Sequence, residues 1–163
     1  KNVEISDILR NNLTRINVDT LDHLRIHPTS FASLKHLKLD FQDYSGIISK
    51  TLGDYIKHLT TLTTLSLIFR YYDLCDNGLN EIGDVLPQLP SLKELCLRFD
   101  SCSDLTKNGL DALCTFIKNI SSLKILSLIF RGCTSIDEKC VSDLKMQISN
   151  SILLDSLKIH FTR

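Results

Sequence analysis

The residues able to do chemistry in this chain are dispersed. His23 and His27 stand four apart, a spacing that puts two imidazoles on one helix face. No glutamate joins them as in H-E-x-x-H, and they fall on a stretch that reads as a strand. Solvent-facing histidines account for them, and no metal site is expected. Six cysteines, Cys75, Cys96, Cys102, Cys114, Cys133 and Cys140, form no C-x-x-C pair and read as reduced packing thiols. Cys133 lies close to Arg131, whose charge would favour a thiolate, but a packed thiol is the simpler account. The six glycines are scattered, no Gly-Lys-Ser/Thr phosphate cradle occurs, and no G-x-S-x-G turn is present. No catalytic or cofactor-binding residue is expected, so the chain reads as a non-enzyme. What remains are three arginines, Arg70, Arg98 and Arg131, which recur at intervals close to a repeat.

That repeat must position them. Leu34, Leu37, Leu39 and Phe41 spell L-x-x-L-x-L-x-F, which returns as Leu62, Leu65, Leu67 and Phe69. It recurs as Leu92, Leu95, Leu97 and Phe99, then Leu123, Leu126, Leu128 and Phe130, and finally Leu154, Leu157, Ile159 and Phe161. The steps are 28, 30, 31 and 31 residues, a period typical of stacked repeat architectures. Alternation of the last three apolar positions marks a strand buried on one face, near 34–42, 62–70, 92–100, 123–131 and 154–162. Ahead of the later strands, apolar residues come at helical steps of three and four. Leu79, Ile82, Val85, Leu86 and Leu89 form one such set, and Leu110, Leu113, Phe116, Ile117 and Ile120 another. Leu52, Tyr55, Ile56 and Leu59, and Val141, Leu144 and Ile148, are sparser versions.

Ile48, Gly78, Gly109 and Cys140 each precede the next strand's first leucine by 14 residues, whereas 7, 9, 10 and 10 residues separate them from the preceding strand's phenylalanine. The helical half is therefore constant, and the loop leaving the strand absorbs the variation. Parallel strands need a crossover of this length. The expectation is an α/β fold with parallel strands on a concave face and helices on a convex one.

The segments SLKELCLRFDSCSDLTKNGLDALCTFI and TLTTLSLIFRYYDLCDNGLNEIGDVL resemble the ribonuclease-inhibitor-like class of leucine-rich repeats, in the variant common in large protist proteins. The resemblance covers residues 34–163 and implies a horseshoe-shaped solenoid segment. It also marks a departure. The family's ladder position, three residues after the third leucine, holds Gln42, Arg70, Asp100, Arg131 and Thr162. A ladder-like residue comes two positions later, as Tyr44, Tyr72, Cys102 and Cys133.

Residues 1–33 read as an N-terminal helix over roughly 4–15 and a degenerate repeat whose strand carries Leu21, Leu24 and Ile26. The link HPTSFAS is too short for a helical crossover, so either the join is tight and non-helical or residues are missing there. The chain begins at Lys1 and reaches its end at the last strand without a polar capping element. A fragment of a longer chain is expected, with further chain or a partner at the C-terminal edge.

Charge narrows the function classes. Lys and Arg total 19, as do Asp and Glu, which disfavours nucleic acid as partner. No apolar run approaches the ~20 residues of a bilayer span, so no membrane partner is expected, and a cytoplasmic setting, including cytoskeletal or ciliary assemblies, fits. The pleat turns Lys38, Asp40, Ile68, Arg70, Arg98, Asp100, Ile129, Arg131 and His160 outward on the concave face. These, with Tyr71 in a loop, form the expected surface for a protein partner. Ile68 and Ile129 flank Arg98 as apolar anchors. Asp100, between Arg70 and Arg131, also reads as the centre of a cross-strand charge ladder. The leading function is a protein-interaction or scaffold module. The resemblance also admits a regulatory protein of inhibitor, GTPase-activating or ubiquitin-ligase substrate-receptor type, in which an outward arginine acts directly. A structural component of a large cytoskeletal or ciliary assembly is the third reading.

Overall fold

Parallel pairing in one fixed register organises the molecule. The structure, a computed structural model, describes residues 14–17, 33–42, 58–70 and 76–163. They form β1 (Thr14–Asn17), β2 (His36–Gln42), β3 (Thr64–Arg70), α1 (Asp76–Val85), β4 (Glu94–Asp100), α2 (Lys107–Lys118), β5 (Ile125–Arg131), α3 (Glu138–Ser151) and β6 (Ser156–Thr162). The strands make one parallel sheet in sequential order. The chain is thus α/β. Among the described residues no helix is long and apolar enough to cross a membrane.

Equivalent repeat positions meet across every pair from β2 to β6. Leu37, Leu65, Leu95, Leu126 and Leu157 form one row, and Leu39, Leu67, Leu97, Leu128 and Ile159 a second. The phenylalanines form a third, with Phe69 stacked on Phe99 at 5.4 Å and Phe99 on Phe130 at 5.3 Å between ring centroids. The described helices pack in series, α1 on α2 and α2 on α3. Their apolar faces share a single core with the strand rows.

Each strand begins two residues later than the pattern suggests. Leu34, Leu62, Leu92 and Leu123 lie just ahead of the strands, buried in the turn that leads into each. There the Lys35 carbonyl accepts from both Thr63 and Thr64 N–H, and the Thr63, Lys93 and Lys124 carbonyls repeat the arrangement with the next unit. A hydroxyl before the leucine ties the turn to its predecessor. Thr61 donates to the Leu34 carbonyl at 3.1 Å, Ser91 to Thr60 at 2.8 Å, and Ser122 to Leu92 at 2.7 Å. The last copy has Leu153 at this position, 94% exposed.

Helix starts are also linked between units. Thr106 caps α2 by accepting from Asn108 N–H, and its own N–H and hydroxyl donate to Asp76 at the start of α1. Gly109 fits this junction because a Cβ there would strike the Asp76 carboxylate and Leu105. Asp137 caps α3, and the N–H of Cys140 holds its carboxyl below the ordinary carboxylate value. This cap is complete above that ordinary value and is lost as pH falls through the lowered one.

The N-terminal expectation needs correction. Thr14 and Arg15, placed at the end of a first helix by the sequence pattern, are extended and pair with Leu37 and Lys38. The strand beside β2 is therefore 14–17, not the segment carrying Leu21, Leu24 and Ile26. That segment, the rest of the expected first helix, His23, His27, and the helix expected around Leu52, Tyr55 and Ile56 lie outside the described residues.

Where β4 and β5 end, Ser101 and Gly132 occupy equivalent positions with φ of 57° and 62°. Glycine adopts this left-handed backbone freely, whereas another L-residue pays about 1 kcal/mol or more for it. The same step is therefore relaxed after β5 and strained after β4. Ser101→Gly is expected to raise stability by up to about 1 kcal/mol, and Gly132→Ala to lower it by about as much. Urea unfolding of both variants checks the pair; equal and opposite shifts are the signature.

Candidate functional site

The face of the sheet turned away from the leucines carries the candidate residues. Its four rows follow from the register. From the start of the strands they read His36, Thr64, Glu94, Ile125, Ser156, and then Lys38, Ser66, Cys96, Ser127, Lys158. The third row is Asp40, Ile68, Arg98, Ile129, His160, and the fourth Gln42, Arg70, Asp100, Arg131, Thr162. The strand pattern thus gathers all nine candidate strand residues onto one surface. Tyr71, like Tyr44, Tyr72 and Cys75, lies outside the described residues.

The two halves of this surface differ. Toward β2 and β3 it is closed. Asp40 is only 5% exposed and Ile68 4%. Ile68 is therefore not the exposed anchor expected from its position. Asp40 accepts a hydrogen bond from Arg70 Nε at 3.0 Å, reaching diagonally from the neighbouring strand. A carboxylate so covered requires a charged partner.

Next along, Arg98 bonds Asp100 through two nitrogens. Its Nε lies 2.9 and 2.8 Å from the two carboxylate oxygens and an Nη 2.7 Å from one of them. That bond, with the nearby Asp100 and Asp40 charges, raises the Arg98 guanidinium above its already high ordinary value, against the opposing effect of burial. The expected ladder of Arg70, Asp100 and Arg131 does not form. Arg70 turns to Asp40, Arg98 takes Asp100 along its own strand, and Arg131 is exposed and makes no ion pair among the described residues. Residues two apart on a strand share a face, and the planar guanidinium matches a carboxylate through two bonds, so the route along the strand supplies a complete fork.

Toward β5 and β6 the surface is open. Arg131, Lys158 and His160 are exposed, Ile129 is half-buried, and Ile125 is 36% exposed. Ile125 and Lys158 stand in the same outward rows but were not among the residues expected from the sequence. Their signal was the absence of any acidic residue within β5 or β6.

At the ends of the strands the cysteines act as ladder residues. The Cys102 thiol points at the Phe69 carbonyl at 3.8 Å and the Cys133 thiol at Phe99 at 3.6 Å, each reaching back to the preceding strand. Hydrogen bonding with Cys102 draws the Cys133 thiol down to about 7, while burial pushes it up. The Arg131 backbone, rather than its guanidinium, adds to the lowering. Both sulfurs belong to the core. The described residues contain no group of three or more His, Cys, Asp or Glu placed to share a metal ion. No protein-family model matches this chain, and no curated protein matches it either.

Two predictions separate this geometry from a simple charge ladder and a reactive thiol. A double-mutant cycle between Arg98 and Asp100 should give a coupling of about 1 kcal/mol, and the cycle between Asp100 and Arg131 a value near zero; comparable couplings would restore the ladder. In the folded chain, alkylation followed by mass spectrometry should modify Cys96 and Cys140, which are half-buried, well before Cys102, Cys114 and Cys133. Early labelling of Cys133 would show that its sulfur is open to reagents.

Proposed function

We propose that this chain is a segment of a leucine-rich-repeat solenoid of the ribonuclease-inhibitor-like class, acting as a protein-interaction or scaffold module. The carrying observation is the open face of the sheet at β5 and β6. Helices pack behind the strands, while Ile125, Arg131, Lys158 and His160 are exposed and Ile129 is half-buried. Apolar side chains beside arginine are the composition of interface hot spots. The repeated register supports the repeat assignment, since each unit buries its leucines only against its neighbours. A cytoplasmic setting accords with the reading of the cysteines as thiols.

The partner-binding surface is narrower than the strand pattern alone suggests. Asp40, Ile68, Arg70, Arg98 and Asp100 steady the sheet and form the floor beside the contact area. Lys38, half-buried on β2, lies at its far side.

The test compares two variants of the tagged chain. Ile129→Glu alters the open face, and Lys118→Glu alters an exposed helix position. With both folded by circular dichroism, proteins captured by the parent should be lost about ten-fold or more with Ile129→Glu and retained with Lys118→Glu. Retention by both, or loss through the helix variant alone, would move the interface off the sheet.

A further inference from the structure

We infer that the β5–β6 half of the open face binds an acidic, apolar-containing segment of a partner protein; this rests on the interaction reading above and gives its partner a chemistry. The argument is one of charges already spent and charges left over. Among β2 to β4, Asp40 is taken by Arg70 and Asp100 by Arg98. Arg131 stands opposite Asp100 in the register, but that carboxylate is already gripped by both the Nε and an Nη of Arg98. Among the described residues Arg131 therefore keeps an unmatched charge, and on the next strand Lys158 is exposed with no carboxylate on β5 or β6 to meet it. Glu94, the nearest other acid in the rows, pairs in register with Ile125, three rows from Arg131 and two strands from Lys158.

Along the strands Ile125 precedes Lys158 and faces Ser156, while Ile129 lies between Lys158 and Arg131 and faces His160. The surface thus alternates apolar and basic groups over two strands. A complementary ligand presents carboxylates flanking one or two apolar side chains. The two isoleucines supply buried area, and Arg131 supplies a fork suited to a carboxylate. Nucleic acid would also meet the cations, but the patch offers isoleucines where a phosphate backbone needs further donors.

The experiment is a selection of random displayed peptides on the full chain, followed by fluorescence anisotropy with the enriched peptides. Selected sequences should be rich in Asp or Glu beside apolar residues. Their affinity should fall about ten-fold or more with Arg131→Glu/Lys158→Glu and weaken as salt rises. Ile129→Asp should also abolish binding. Enriched peptides without acidic preference, still lost with Ile129→Asp, would overturn the acidic ligand while leaving the face as an interface. Peptides indifferent to both variants, or no enrichment, would overturn the interface reading and this inference together. Single- or double-stranded oligonucleotides binding as tightly as the selected peptides, with the same loss in the charge-reversed variant, would assign the cations to nucleic acid and also overturn it.

Discussion

The molecule depends on one constraint: each strand pairs with the next in the same register, without a slip. A shift by one residue would turn every leucine to the wrong face. From β2 to β6 the partners are equivalent positions throughout. The stacked phenylalanines show why the arrangement repeats well. Their centroids lie 5.3 and 5.4 Å apart, close to the ~4.8 Å between neighbouring strands. Rings at this spacing stack in an offset manner at almost no cost to the backbone. They close the end of the core nearest the loops, so loop length can change from unit to unit above a layer that stays the same.

Both ends of each strand are then free to use local chemistry suited to a parallel sheet. At the start, one carbonyl serves two successive N–H groups of the next unit, and a serine or threonine hydroxyl adds another tie. At the end of β4 and of β5, a left-handed residue turns the chain and a thiol reaches back to the previous strand. A cysteine here is a weak donor but a good apolar filler, which suits a position counted within the core.

Much of this was legible because it is periodic. The rows of Leu37, Leu39 and Phe41 repeat at five sites, and each repetition strengthens the same reading. What is not repeated was hidden. Thr14–Asn17 carries one isoleucine among polar residues, too little alternation to mark a strand, and it is a strand because β2 offers it an edge. The hydroxyl before four of the five leading leucines is periodic but conservative in size and polarity, and so easily taken for loop composition. The arginine partners were out of reach for a different reason. Register shows which residues are neighbours, but a long flexible side chain chooses among several acids by geometry and burial. Asp100 had Arg70 and Arg131 as cross-strand neighbours and took Arg98.

Burial explains which charges are matched within the chain and which are not. Asp40, 5% exposed, has lost most of its water and must be compensated by Arg70. Arg131 and Lys158 keep their hydration. Four residues apart along adjacent strands, about 14 Å by strand geometry, two such charges repel by only about 0.3 kcal/mol in water, so folding exerts little pressure to give them carboxylate partners. The closed half of the face is consequently self-sufficient, and its ion pairs belong to the stability of the sheet. The open half carries charge that the fold neither needs nor opposes. A partner that covers Ile125 and Ile129 would strip water from these cations, and only then does the absence of a carboxylate become expensive. The same side chains that are nearly neutral to folding therefore become selective on binding, favouring ligands that bring the missing negative charge.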